Sequence, residues 1–79
     1  MTTLTDDDRA ALDLEAQFWK HAGTKEDAIR RELGTTPTRH YQRVVRLLQV
    51  PAAWEHAPAA MGRIDRTLRA GRRRGHAGE

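Results

Sequence analysis

The sequence predicts an all-α fold: a small helix-turn-helix domain with three core helices, followed by a C-terminal helix and a basic tail. Three observations carry this. Val, Ile, Phe and Tyr are few and never alternate with polar residues, so no segment reads as a strand. Apolar residues recur instead at helical spacing in several separate segments. Between these segments stand capping and breaking residues, among them Thr5, Gly23, Gly34, Thr36-Pro37, Pro51 and Pro58.

The first helix opens on Thr5, an N-cap, followed by Asp6, Asp7 and Asp8, whose charges suit the positive end of the helix dipole. Leu12, Ala16 and Trp19 recur at helical spacing beside Ala11, Leu14, Phe18 and Ala22, so this stripe is expected to supply most of the core. Gly23 is the expected stop. Thr24, with Asp27 three residues on, restarts a short second helix carrying Ala28, Ile29 and Leu33, and Gly34 closes it. Thr36 caps a third helix with Pro37 at its first position, and Val50-Pro51 ends it near Gln49. The segment Pro51 to Pro58 has room for one turn around Ala52, Ala53 and Trp54, with Trp54 either in the core or folding the segment over the first helix. A last helix is expected from about Ala59 to Ala70, with Met61, Ile64 and Leu68 on one side.

Residues 1–70 are thus one domain, with its motif at about 24–49, and residues 71–79 are expected to be a basic, disordered tail. A chain of 79 residues without cysteine builds only a modest core and has neither disulfides nor thiolate metal sites to reinforce it. The first residues are polar and then acidic, where a secretory signal is basic and then apolar. No apolar run approaches the roughly 20 residues of a membrane span. The expectation is a soluble protein of the cytoplasm.

Charge is distributed unevenly. Residues 1–35 carry 8 acidic and 5 basic side chains, whereas residues 58–79 carry 6 Arg against Asp65 and Glu79. A basic second half points to a polyanionic partner. Twelve of the 14 cations are Arg, which forks onto phosphates and guanine edges better than Lys. A GC-rich genome accounts equally well for the Arg-to-Lys ratio, but not for the asymmetry.

The second and third helices, joined by Gly34-Thr35-Thr36, match the helix-turn-helix pattern in length and turn chemistry. At about 100° per residue, Tyr41, Val44, Val45 and Leu48 of the third helix form one dry stripe. Arg39, Gln42, Arg43 and Arg46 fall opposite, with Thr38 and Gln49 at the edge. This face holds three cations and no acid, unlike an ordinary solvated face. Thr38, Arg39, Gln42 and Arg43 are the candidates for base-edge contacts in a major groove. Candidates for phosphate contacts are Thr24 and Lys25 at the second helix, Thr36 and Arg46 on the third, and Arg63, Arg66, Arg69, Arg72, Arg73 and Arg74 beyond. One position departs from the motif. Arg30 stands four residues before the turn glycine, where a small residue is usual, so the two helices are expected to cross at an uncommon angle.

Other chemistry finds little support. His21, His40, His56 and His76 lack metal-ligand spacing, and His40 reads as a packed or DNA-adjacent side chain. There is no phosphate-binding glycine loop and no nucleophile with a base at recognisable spacing, so neither an enzyme nor a cofactor is expected. No small-molecule effector is evident.

The stretch Phe18-Trp19-Lys20-His21-Ala22-Gly23-Thr24-Lys25-Glu26-Asp27-Ala28-Ile29-Arg30, continued by Leu33-Gly34 and Thr38-Arg39-His40-Tyr41-Gln42, resembles a family of small actinobacterial proteins labelled only as a domain of unknown function. The resemblance covers roughly residues 4–70. It implies a lone helix-turn-helix domain with a basic extension, binding DNA in the nucleoid-associated manner. It also implies that Thr38-Arg39 and Tyr41-Gln42 lie on the recognition helix. His40 departs from the family pattern, where an aromatic is common.

The expected function is therefore sequence-preferring binding to double-stranded DNA, architectural in kind, with broad effects on transcription and a homodimer forming on DNA. The alternatives are a promoter-specific regulator and an adaptor on RNA polymerase or a sigma factor.

Overall fold

A computed structural model describes residues 3–77, with side chains as far as Gly71. The described residues are helical, without strands: α1 (Asp6–Ala16), α2 (Ala22–Leu33), α3 (Pro37–Leu47), the short α4 (Pro51–His56) and α5 (Pro58–Ala77). α1 is the hub and packs against each of the other four, while α2 rests on α3 and α4 on α5.

Side-chain caps set the starts of α1 and α3. The Thr5 hydroxyl accepts from the Asp8 amide at 3.0 Å, and the Asp8 carboxylate accepts from the Thr5 amide at 3.1 Å, a reciprocal box that satisfies two amides at the start of α1. Gly34 closes α2 at φ 63°, a left-handed conformation that only glycine adopts without cost. Two residues later, the Thr36 hydroxyl accepts from the Arg39 amide and starts α3, with Pro37 in its first turn. The six-residue α4 also opens on a proline.

Three helix boundaries differ from the sequence expectation. α1 stops at Ala16 rather than at Gly23, where one nearby and one distant side chain take up its last carbonyls. The Trp19 indole donates to the Leu14 carbonyl at 2.8 Å, and the Arg63 guanidinium, from α5, donates to the Glu15 carbonyl. Gln17 is extended there, the chain turns, and Phe18 is left 88% exposed rather than packed. α2 then starts at Ala22 with His21 as its cap, so Gly23 and Thr24 lie inside the helix and Thr24 caps nothing. At the other end, α5 continues past Ala70 to Ala77.

The core has two apolar parts. The larger joins Leu4 and Leu12 to Leu47, Ala53, Ala57, Ala60 and Met61, with Trp54 and Ile64 at its edge. The smaller joins Leu14, Ala28 and Ile29 beneath Trp19 and Leu33. The Trp54 indole donates to the Leu48 carbonyl at 3.0 Å, and His56 meets Asp13 at 2.8 Å, so α4 lies against the end of α3 and against α1. Among the described residues, no helix is long and apolar enough to cross a membrane.

Candidate nucleic-acid interface

α3 is presented by a polar lock on its inner side. Its buried residues are His40, Val44 and Leu47. The dry side is therefore rotated by about 80° from the Tyr41, Val44, Val45 and Leu48 stripe that hydropathy suggests. Tyr41 and Val45, expected in the core, are each 40% exposed.

The cause of the rotation is Glu15. Its position on α1 falls one turn beyond Ala11 and Leu12, on the buried side, so its carboxylate is 2% exposed. A buried carboxylate requires donors. His40 Nε2 lies 2.6 Å from Glu15 Oε2, and Lys25 Nζ donates to Oε1 at 2.8 Å. Arg63 adds its guanidinium 3.7 Å from Oε1. Four helices thereby meet at one carboxyl group. Burial pushes the Glu15 carboxyl upward, but the contacts from His40 and Lys25 outweigh it and hold the group below its ordinary value.

A second tie acts at the start of α1. Arg43 Nη1 donates to Asp8 Oδ1 at 2.8 Å, with the Arg43 side chain 34% exposed. Burial opposes ionisation of Asp8, while the Thr5 amide and Arg43 favour it more strongly, leaving this carboxyl also below its ordinary value.

The outward face of α3 then carries Thr38, Arg39, Gln42 and Arg46, all exposed. None of Arg39, Gln42 and Arg46 has a side-chain partner among the described residues, and α3 contains no acidic residue. Three of the four base-contact candidates, Thr38, Arg39 and Gln42, share this face. The fourth, Arg43, sits at its edge and is engaged with Asp8.

The phosphate candidates divide in a similar way. Arg46, Arg66 and Arg69 are exposed, Arg69 with an ion pair to Asp65 at 3.1 Å one turn away. Lys25 and Arg63 are drawn to Glu15, and Lys25 also stands 5.2 Å over the Tyr41 ring. The Thr36 hydroxyl is occupied by the Arg39 amide, and Thr24 is exposed in the first turn of α2. The side chains of Arg72, Arg73 and Arg74 lie outside the described residues. Arg30, the departure from the motif, is exposed and pairs with Asp27 at 3.5 Å, while Ala28 and Ile29 fill the core beside it.

Reading the sequence for motifs missed Glu15 and Asp8. The signal was nonetheless present: Asp8, Ala11, Leu12 and Glu15 have the spacing of a single helix face, so an acid stands at each end of the apolar pair.

The fold and this site define a small all-helical protein whose third helix is locked from within by charge and left basic and open outside. The chain belongs to the family described as a protein of unknown function (DUF3263), whose model matches residues 3–77. No curated protein and no solved structure matches it.

Proposed function

We propose that this chain binds double-stranded DNA through a helix-turn-helix made of α2, the Gly34-Thr35-Thr36 turn and α3. The observation that carries the proposal is the outward face of α3. It is exposed, free of acids, begins at a capped N-terminus and bears Arg39, Gln42 and Arg46 without protein partners among the described residues. In a major groove, Arg39 reaches a guanine edge and Gln42 an adenine edge, with Thr38 beside them and Arg46 on phosphate. Arg66, Arg69 and the arginines at 72–74 contribute further phosphate contacts. Arg43, through Asp8, fixes the position of α3 rather than reading bases.

A module this small binds one half-site weakly, so pairing of two copies on DNA or coverage of many sites supplies the affinity. Together with the charge asymmetry, this favours an abundant architectural protein of the nucleoid in the cytoplasm, acting broadly on transcription, over a regulator of a few promoters. The second reading is an adaptor on RNA polymerase or a sigma factor, in which Phe18, exposed at the corner between α1 and α2, is a docking residue.

Selection of bound duplexes from a random pool tests the reading. Enrichment of a short motif is expected, with Arg39→Ala or Gln42→Ala relaxing one position at a cost of about 1–3 kcal/mol. Absence of duplex binding even at low salt would refute it. A partner that co-purifies after nuclease treatment, and whose capture survives Arg39→Ala with Gln42→Ala, would favour the adaptor. Across a genome, thousands of footprints indicate the architectural role and a handful the promoter-specific one.

A further inference from the structure

α3 and α5 flank a groove of about 390 Å³, within the range of roughly 300–1,000 Å³ typical of small-molecule sites. Tyr41, Val44 and Val45 form one wall, and Ile64 and Leu68 the other. Both walls carry more apolar surface than the chain covers. Tyr41 and Val45 are 40% exposed, and the Met61, Ile64, Leu68 seam of α5 is fully buried only at Met61. An occupant with an apolar body would remove this surface from water.

The remaining part of the groove lining has the opposite character. Glu15 lies there, 2% exposed, with Lys25 Nζ 2.8 Å and Arg63 Nη2 3.7 Å from the same carboxylate oxygen. Two cations face one carboxylate, which leaves one positive charge uncompensated. Arg63 is half exposed, and its guanidinium has five N–H donors, more than the Glu15 contacts use. A charge surplus beside the apolar walls of a groove selects a ligand of matching polarity.

The geometry points to a binding site for a free amphipathic monoanion, a carboxylate with an aliphatic or aryl body of moderate size. Its head group pairs with Arg63 and Lys25. Its body lies between Val45 on α3 and Leu68 on α5. The site is independent of DNA reading, because it uses the α5-facing flank of α3 and none of Thr38, Arg39, Gln42 or Arg46.

Titration of the full chain with decanoate, followed by calorimetry and by amide chemical shifts, tests the assignment. One molecule is expected to bind saturably, with shifts concentrated at Tyr41, Val45, Ile64 and Leu68. Decanol and decylamine, which keep the chain and lose or invert the charge, should bind about tenfold more weakly or worse. Arg63→Gln should weaken decanoate by about tenfold and leave decanol unchanged. Since Arg63 also caps α1, Leu68→Gln provides a second variant remote from that cap, expected to weaken both ligands. Equal affinity for decanoate, decanol and decylamine would overturn the proposal, as would shifts located elsewhere. So would a dimer in sedimentation that Val45→Asp splits, because the groove would then belong to a second copy of the chain.

Discussion

His40 Nε2 and Glu15 Oε2 lie 2.6 Å apart in the interior, joining α3 to α1 across 25 residues of sequence. With Lys25 and Arg63 on the same glutamate, this contact determines which side of α3 faces solvent. Removing Glu15 strands His40 and Lys25 and costs about 3–5 kcal/mol, while removing His40 leaves one Glu15 oxygen without its donor and costs about 1–3 kcal/mol, each a large share of a small domain's stability. Glu15→Gln and His40→Ala should therefore each unfold at much lower urea concentration than the wild type. Replacing the group together, by Glu15→Met, Lys25→Met and His40→Leu, should recover most of the loss, because packed apolar residues need no donors. Single variants within about 0.5 kcal/mol of wild type would show that the lock contributes little.

Acid should weaken the fold through the same carboxyl groups. Glu15 and Asp8 lie below their ordinary values of 4.5 and 3.8 in the folded chain, so the unfolded chain binds more protons as the medium acidifies. Their stabilisation is fully present above the unfolded values and is lost as pH falls through the folded ones. Thermal melting followed from pH 7 to pH 2 should show no slope from these two groups above about pH 5, and a steep loss below about pH 4. Glu15→Gln and Asp8→Asn should each flatten the acid limb. A wild-type limb already as flat as theirs would contradict the assignment.

The glycine at the end of α2 offers a controlled comparison. Gly34 has φ 63°, so Gly34→Ala should cost about 1–2 kcal/mol although nothing crowds the added methyl. Gly23 lies inside α2 with open space around it, and Gly23→Ala should stabilise by up to about 1 kcal/mol. In a domain of this size each kcal/mol moves the melting temperature by about 4–8 °C. Opposite shifts of the two variants are expected in calorimetry, and shifts of the same sign would refute the backbone argument.

These examples separate what was legible in the sequence from what was not. Thr5, Gly34, Thr36-Pro37, Pro51 and Pro58 act on backbone within a few residues of themselves, so the helix starts and the end of α2 that they govern are written locally. The end of α1 is not. Trp19 caps a carbonyl of its last turn from nearby, but Arg63 reaches that turn from 48 residues away. The facing of α3 failed for the same reason: hydropathy ranks Tyr41 and Val45 above His40, but the partner that draws His40 inward is on another helix. Thr38, Arg39, Gln42 and Arg46 kept their expected exposure because they lie far enough from the seam to stay outside after the rotation. Arg43 lies at the edge of that arc, where Asp8 captures it.

Under the proposed function, that capture predicts different roles for Arg39 and Arg43. Arg43→Ala should lower stability by about 1 kcal/mol, as its pair is partly solvated, whereas Arg39→Ala should stay within about 0.5 kcal/mol of wild type. On duplex DNA the expected effects differ in kind. Arg43→Ala should weaken all sequences alike, and Arg39→Ala should relax the preference at one base pair. Selection repeated with both variants checks this, and a base preference altered by Arg43→Ala would return Arg43 to the reading surface.

Salt separates reading from clamping. Affinity for duplex should fall with salt on a log–log slope of about −0.9 for each phosphate contact. Arg46, Arg66 and Arg69 are exposed on α3 and α5, and the arginines at 72–74 extend the series along the chain. Deleting residues 71–79 removes three of these cations, so the slope should become shallower by up to about 2.7. The preferred sequence should not change, because the face of α3 proposed to read bases is held by Glu15, His40, Asp8 and Arg43, none of which the deletion touches. Binding isotherms at several salt concentrations measure the first effect, and selection with the truncated chain measures the second. An unchanged slope would remove the C-terminal arginines from the phosphate set. A changed sequence preference would mean that they reach the bases themselves, as arginines do when they enter a minor groove.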